Sequence, residues 1–222
     1  MNKKHKLELL YRIIIVIVSG TGLYLNFKLA SPKKMLLYFT IISNIMVFLF
    51  YSITTLLDLI KKLKKDRFYY AIDGIVTVFI ILTMCVYQIA LTDTPIYSNH
   101  LLECSIVHII TPMLVLLYYF VFTEKGHMKK YYSIIWIIPL FIYAFFVQVY
   151  SHFGGRFLDN QKFPYPFLDV DKNGYIHVLM ICVLFIIALL MVGEIAYYTD
   201  KYLEKREENG KKRFNRIWKK NK

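Results

Sequence analysis

Tyr175–Tyr198, YIHVLMICVLFIIALLMVGEIAYY, decides the fold class of this chain. From Tyr175 nothing ionised interrupts the run until Glu194, in its last turn. A helix rises about 1.5 Å per residue, so a run this long and this apolar crosses the ~30 Å hydrocarbon core of a bilayer. Working outward, five more blocks have the same character: Leu9–Leu29, Met35–Ile60, Phe68–Leu91, Leu101–Phe122 and Tyr131–Tyr150. Each is bounded by Lys, Arg, Pro or Gly, and none has a charge near its midpoint. The expected fold is an all-α polytopic membrane protein with six transmembrane helices. Residues 1–200 form the membrane domain and 201–222 a basic cytoplasmic tail.

The composition agrees. A formal charge of +13 beside 57% hydrophobic residues conflicts with a soluble surface. The conflict disappears when the apolar residues are gathered into spans and the charges lie between them. Six spans and their loops use nearly all 222 residues. That leaves no room for a separate soluble domain and excludes most cytosolic enzyme folds and nucleic-acid-binding modules. Cys85, Cys104 and Cys182 lie inside or at the edge of apolar blocks and form neither a disulfide framework nor a CxxC pair. The first block follows Lys3, Lys4 and Lys6 like a signal peptide, but it lacks a small-x-small cleavage site and is read as an uncleaved helix.

Lys and Arg set the orientation. The N-terminus with Arg12, the loop Lys61–Arg67, the loop Thr123–Lys130 and the tail hold 22 of the 28. Both termini are therefore expected in the cytoplasm of a cell membrane. The tail places Phe214, Ile217 and Trp218 at helical spacing among Lys and Arg, which suits either a short helix on the anionic cytoplasmic leaflet or a plain solvated tail; nucleic acid is not an expected partner. Outside, Ser151–Gly174 is the one long non-helical stretch, read as either a lid or a packed cap.

With this topology the outer half of every span carries polar groups. They include Thr21, Tyr24 and Asn26; Thr40, Ser43 and Asn44; Thr83, Tyr87 and Gln88; Ser105, His108 and Thr111; Gln148; and His177. Such groups act as helix-to-helix hydrogen-bond links or mark a site, and agreement in depth favours a site. Counted from the span ends at Met35 and Leu101, Thr40 and His108 both fall about 7–11 Å deep. Thr40, Ser43 and Asn44 share a face. Pro112 deprives the His108 carbonyl of its helical donor, so a kink is expected there. A hydroxyl and an imidazole at one depth fit a nucleophile and its general base. Asn44 is the candidate oxyanion donor, with Ser43, Gln88 and His177 as supporting residues. No cofactor and no metal are expected, since the HxxxH and HxxHH spacings of di-metal membrane enzymes are missing.

Tyr38-Phe39-Thr40-Ile41-Ile42-Ser43-Asn44-Ile45-Met46-Val47, His108-Ile109-Ile110-Thr111-Pro112-Met113-Leu114 and Pro164-Tyr165-Pro166-Phe167-Leu168-Asp169-Val170 carry a resemblance. They resemble the bacterial branch of the androgen-induced-protein-like membrane family in order and spacing, from the first span to the sixth. Animal members of that family hydrolyse fatty acid esters of hydroxy fatty acids with an intramembrane Thr and His. The resemblance implies that Thr40 is the nucleophile, His108 its partner and a membrane lipid ester the substrate. The alternatives are a non-enzymatic transporter or lipid-binding scaffold, and a haem protein using His108, His152 or His177.

Overall fold

The computed structural model describes residues 3–91 and 100–220. Among them there is no strand, and six helices are long and apolar enough to cross a membrane. This is the architecture of a multi-pass membrane protein. Span 1 is Lys3–Leu29, span 2 Phe39–Leu59, span 3 Arg67–Ala90, span 4 Leu101–Val121, span 5 Tyr132–His152, and span 6 begins at Tyr175. Spans 2, 3 and 4 form the centre, with 50%, 56% and 50% of their apolar windows buried, against 22% for span 5 and 17% for span 6. The last two therefore lean on the bundle from outside, with Phe141, Phe145 and Leu179 among the large apolar side chains exposed on their outer faces.

The end of the bundle at which span 1 begins is locked by charge. Arg12 is fully buried and donates to the Thr54 carbonyl at 3.1 Å and to the Asp58 carboxylate. Glu8 lies 3.6 Å from Arg12 and accepts from Lys65 at 2.7 Å and from the Tyr118 hydroxyl at 2.9 Å. One cluster thus joins spans 1, 2 and 4 to the loop before span 3. Asp66 starts span 3 by accepting from the Tyr69 amide at 3.0 Å, an ordinary N-cap. Asp200 accepts from the Gly126 and Met128 amides at 2.8 and 3.1 Å, tying span 6 to the loop after span 4.

Two expectations need correction. Span 2 does not begin at Met35: Pro32–Met35 forms a separate turn, and Tyr38 is extended at φ −98°, ψ 132° before the helix begins at Phe39. The break turns the Tyr38 ring toward the loop Ser151–Gly174, where its hydroxyl accepts from the Leu158 amide at 3.2 Å. Thr40 therefore stands at the second residue of its helix rather than a turn and a half inside it. Secondly, the helix of span 6 does not stop near Tyr198. It continues as one helix to Lys220, 46 residues in all, instead of yielding to a separate short surface helix. The side chains of Phe214, Ile217 and Trp218, on which the leaflet expectation rested, lie outside the described residues.

Ser151–Gly174 is a packed cap. Gly154 turns the chain at φ +83°, and Gly155 passes so close to Tyr150 that an added Cβ would meet its backbone oxygen at 2.5 Å. Phe157, Phe163, Tyr165 and Leu168 are buried against Tyr38, Tyr87 and Val147. Asp169 closes the segment by accepting from the Asp171 and Lys172 amides at 3.0 and 3.1 Å.

Candidate active site

Thr40 and His108 meet. Thr40 Oγ1 lies 3.2 Å from His108 Nε2, and both residues are buried. The other ring nitrogen, Nδ1, is 2.9 Å from the Cys104 carbonyl. A carbonyl only accepts, so Nδ1 carries the hydrogen and neutral Nε2 presents its lone pair to the Thr40 hydroxyl. This is the tautomer a general base requires. The Tyr87 ring stacks on the imidazole, with centroids 4.3 Å apart and planes inclined by 20°, and fixes the ring plane.

The backbone beneath His108 explains the neighbouring amide. Ile106–Ile110 is a π turn, in which the Thr111 amide reaches back to the Ile106 carbonyl. The Val107 carbonyl thereby loses its usual donor, and Pro112, the next position able to supply one, has no N–H. Asn44 fills the vacancy: its Nδ2 donates to the Val107 carbonyl at 3.0 Å and to the Thr40 carbonyl at 2.8 Å. Both amide hydrogens are committed, so Asn44 is not free to meet an oxyanion as the sequence suggested. It joins the turn bearing the imidazole to the turn bearing the hydroxyl. Ser43 does similar work, 2.9 Å from the Thr40 carbonyl and 2.8 Å from the Thr83 hydroxyl. Span 1 approaches the π turn closely at Gly22, where an added Cβ would meet Ile106 at 2.7 Å.

Gln88 and His177 do not join the site. Both are exposed, while the adjacent Tyr87 and Val178 are buried. Adjacent helical residues point about 100° apart, so the face that delivers Tyr87 turns Gln88 away.

Tyr165 arrives from the cap, between Pro164 and Pro166. Its ring stacks on Phe167 at 5.3 Å and meets Tyr38 edge-on at 5.9 Å. The Thr40 side chain and backbone, the Phe39 backbone and Tyr143 lie around its hydroxyl. Burial pushes its pKa above the usual phenol value, so it stays protonated. No periodicity leads to this residue; its only signal was the Pro-Tyr-Pro punctuation of a long loop.

A cavity of about 360 Å³ opens on the other side of Thr40, within the range of small-molecule sites. Thr40, Thr83, Gln148, Tyr143, Tyr165 and Tyr175 carry the oxygen and amide groups on walls that are otherwise nearly all hydrocarbon. Phe141, Phe145 and Leu179 line it and are also exposed on the outer apolar faces of spans 5 and 6, so its mouth is lateral. A second, smaller recess, which includes Ser151, His152 and Lys162, adjoins it through Gln148 and Tyr175. Thr40 therefore separates the cavity from the imidazole. Among the described residues, no three His, Cys, Asp or Glu side chains converge as a metal ion would need.

Compared with known proteins, the chain matches no family model, no curated protein and no solved structure.

Proposed function

We propose that the chain is a lipid ester hydrolase of a bacterial cell membrane, with both termini cytoplasmic and the reaction in the outer half of the bundle. The observation that carries this reading is the Thr40 Oγ1–His108 Nε2 contact, with Nδ1 turned to a carbonyl. The laterally open apolar cavity against Thr40 supports an acyl chain delivered from the bilayer. The resemblance of the Thr40, His108 and Pro-Tyr-Pro segments to the bacterial branch of an intramembrane threonine hydrolase family points the same way.

In this reading Thr40 Oγ1 attacks the ester carbonyl carbon while His108 Nε2 takes its proton, and the carbonyl electron pair moves onto oxygen. The resulting imidazolium keeps its Nδ1 hydrogen on the Cys104 carbonyl, whose oxygen carries the negative end of the peptide dipole. Collapse breaks the bond to the alcohol, which leaves with the proton from Nε2, and the acyl group stays on Thr40. Water then attacks, His108 takes its proton and returns it to Thr40, and the acid departs. The recess of Ser151, His152 and Lys162 supplies that water from the outer face. A threonine hydroxyl is a weak nucleophile without a base, so the geometry of His108 is central.

The test is acid-quenched turnover of a long-chain p-nitrophenyl ester by the purified protein, followed by mass spectrometry of the peptide containing Thr40. An acyl adduct on Thr40 is expected. Binding of the ester without turnover would instead favour a lipid-binding scaffold or transporter.

A further inference from the structure

An acyl transfer of this kind needs a donor for the oxyanion, and the side chains of Asn44, Ser43 and Tyr143 are already engaged. Both Asn44 amide hydrogens go to carbonyls. The Ser43 hydroxyl sits between the Thr40 carbonyl and Thr83. The Tyr143 hydroxyl donates to the Leu37 carbonyl at 3.0 Å. The Tyr38 hydroxyl serves the cap, accepting from Leu158.

We infer that Tyr165 is the oxyanion donor of the Thr40 site, so the outer cap contributes a catalytic residue rather than a mere cover. This deepens the hydrolase reading and rests on it. Three observations converge. Span 2 begins at Phe39 without a side-chain cap, and its first ladder bonds run from Ile41 and Ile42 to the Tyr38 carbonyl, so the Phe39 and Thr40 amides lie ahead of the helical ladder. The Tyr165 phenol lies against those amides and the Thr40 side chain. It also lines the cavity that admits the acyl group.

The phenol lies beside these amides; a phenol oxygen that accepts from an N–H keeps its own hydrogen to donate and is strengthened as a donor. At rest that hydrogen faces Thr40 Oγ1, whose hydrogen goes to His108. An oxyanion on the carbon bonded to Oγ1 is only two bonds from that oxygen and falls in the same space. On attack the phenol hydrogen passes from Oγ1, now bonded to carbon, to the oxyanion beside it. No proton transfers; the hydrogen bond changes acceptor, and returns when the intermediate collapses. The flanking prolines fix the backbone on both sides, and the stacked Phe167 fixes the ring.

The experiment compares wild type, Thr40→Ala, Tyr165→Phe and Tyr38→Phe in detergent, reading kcat and KM on a long-chain p-nitrophenyl ester and the rate of fluorophosphonate labelling. Tyr165→Phe is expected to lower kcat by about 10²–10³-fold, the usual effect of losing one such donor, with KM little changed and labelling of Thr40 slowed in parallel. Tyr38→Phe, which removes only a cap anchor, is expected to keep kcat near wild type. A ring-fluorinated tyrosine at position 165, being a stronger acid, is expected to move the alkaline limb of kcat to lower pH, which a structural role would not do. The inference is overturned if Tyr165→Phe retains kcat, if its loss lies in KM, if Tyr38→Phe loses as much, or if fluorination leaves the limb in place. Wild type that does not label at Thr40 overturns the hydrolase reading itself. Labelling at Thr40 with normal Tyr165→Phe kinetics overturns only the role of Tyr165.

Discussion

Thr40 is held from four directions: His108 at its hydroxyl, Asn44 and Ser43 at its carbonyl, Tyr165 from the cap. Asn44 is the member whose loss reads out the framework rather than the chemistry. Asn44→Ala leaves the Val107 carbonyl buried without a donor, a cost of about 1–2 kcal/mol by comparison with other interhelical links. A lower thermal unfolding midpoint in detergent and slower turnover are expected; an unchanged midpoint would show that the π turn does not depend on this amide. At this scale Thr40 and His108 were legible, because polar side chains inside apolar blocks stand out and their depths could be matched. Tyr165 was not, since a loop residue has no period to place it. Gln88 drew attention as an amide while Tyr87, one residue earlier, holds the face that reaches His108. Composition identifies a polar residue; only the helical phase says which way it points.

The decisive elements are the π turn of span 4 and the late start of span 2. Pro112 announced an irregularity near His108, but a proline does not specify whether the helix kinks, widens or repairs itself through a neighbour. The answer depends on Asn44 of another helix and on Gly22, which lets span 1 press against the turn. Gly22→Val places methyl groups where Ile106 and Val107 already stand, and overpacking of this kind costs about 1–3 kcal/mol. It is expected to lower the unfolding midpoint and to impair turnover by shifting His108. Gly22→Val with wild-type stability and activity would mean that the contact is not a tight one. The start of span 2 was misread because Met35–Tyr38 is as apolar as the helix it precedes, while the backbone turns extended at Tyr38.

For the whole molecule, six apolar helices were legible from block length alone, whereas the looseness of spans 5 and 6 was not, because lipid-facing and core-facing residues have the same composition. That looseness leaves the lateral cavity. At the opposite end Arg12 counts in the sequence among the basic residues that set the orientation; in the structure it is a buried tie between spans 1 and 2. Arg12→Gln strands Asp58 and Glu8 without their guanidinium, and breaking a buried pair costs about 3–5 kcal/mol. Poor recovery of folded protein or a sharply lower midpoint is expected, and a fully stable variant would contradict the tie. The measurement that tests the central claim most directly is fluorophosphonate labelling of membranes carrying wild type, Thr40→Ala or His108→Ala at equal abundance. The account predicts labelling of the wild type alone. Equal labelling of all three, or none of the wild type, would contradict it.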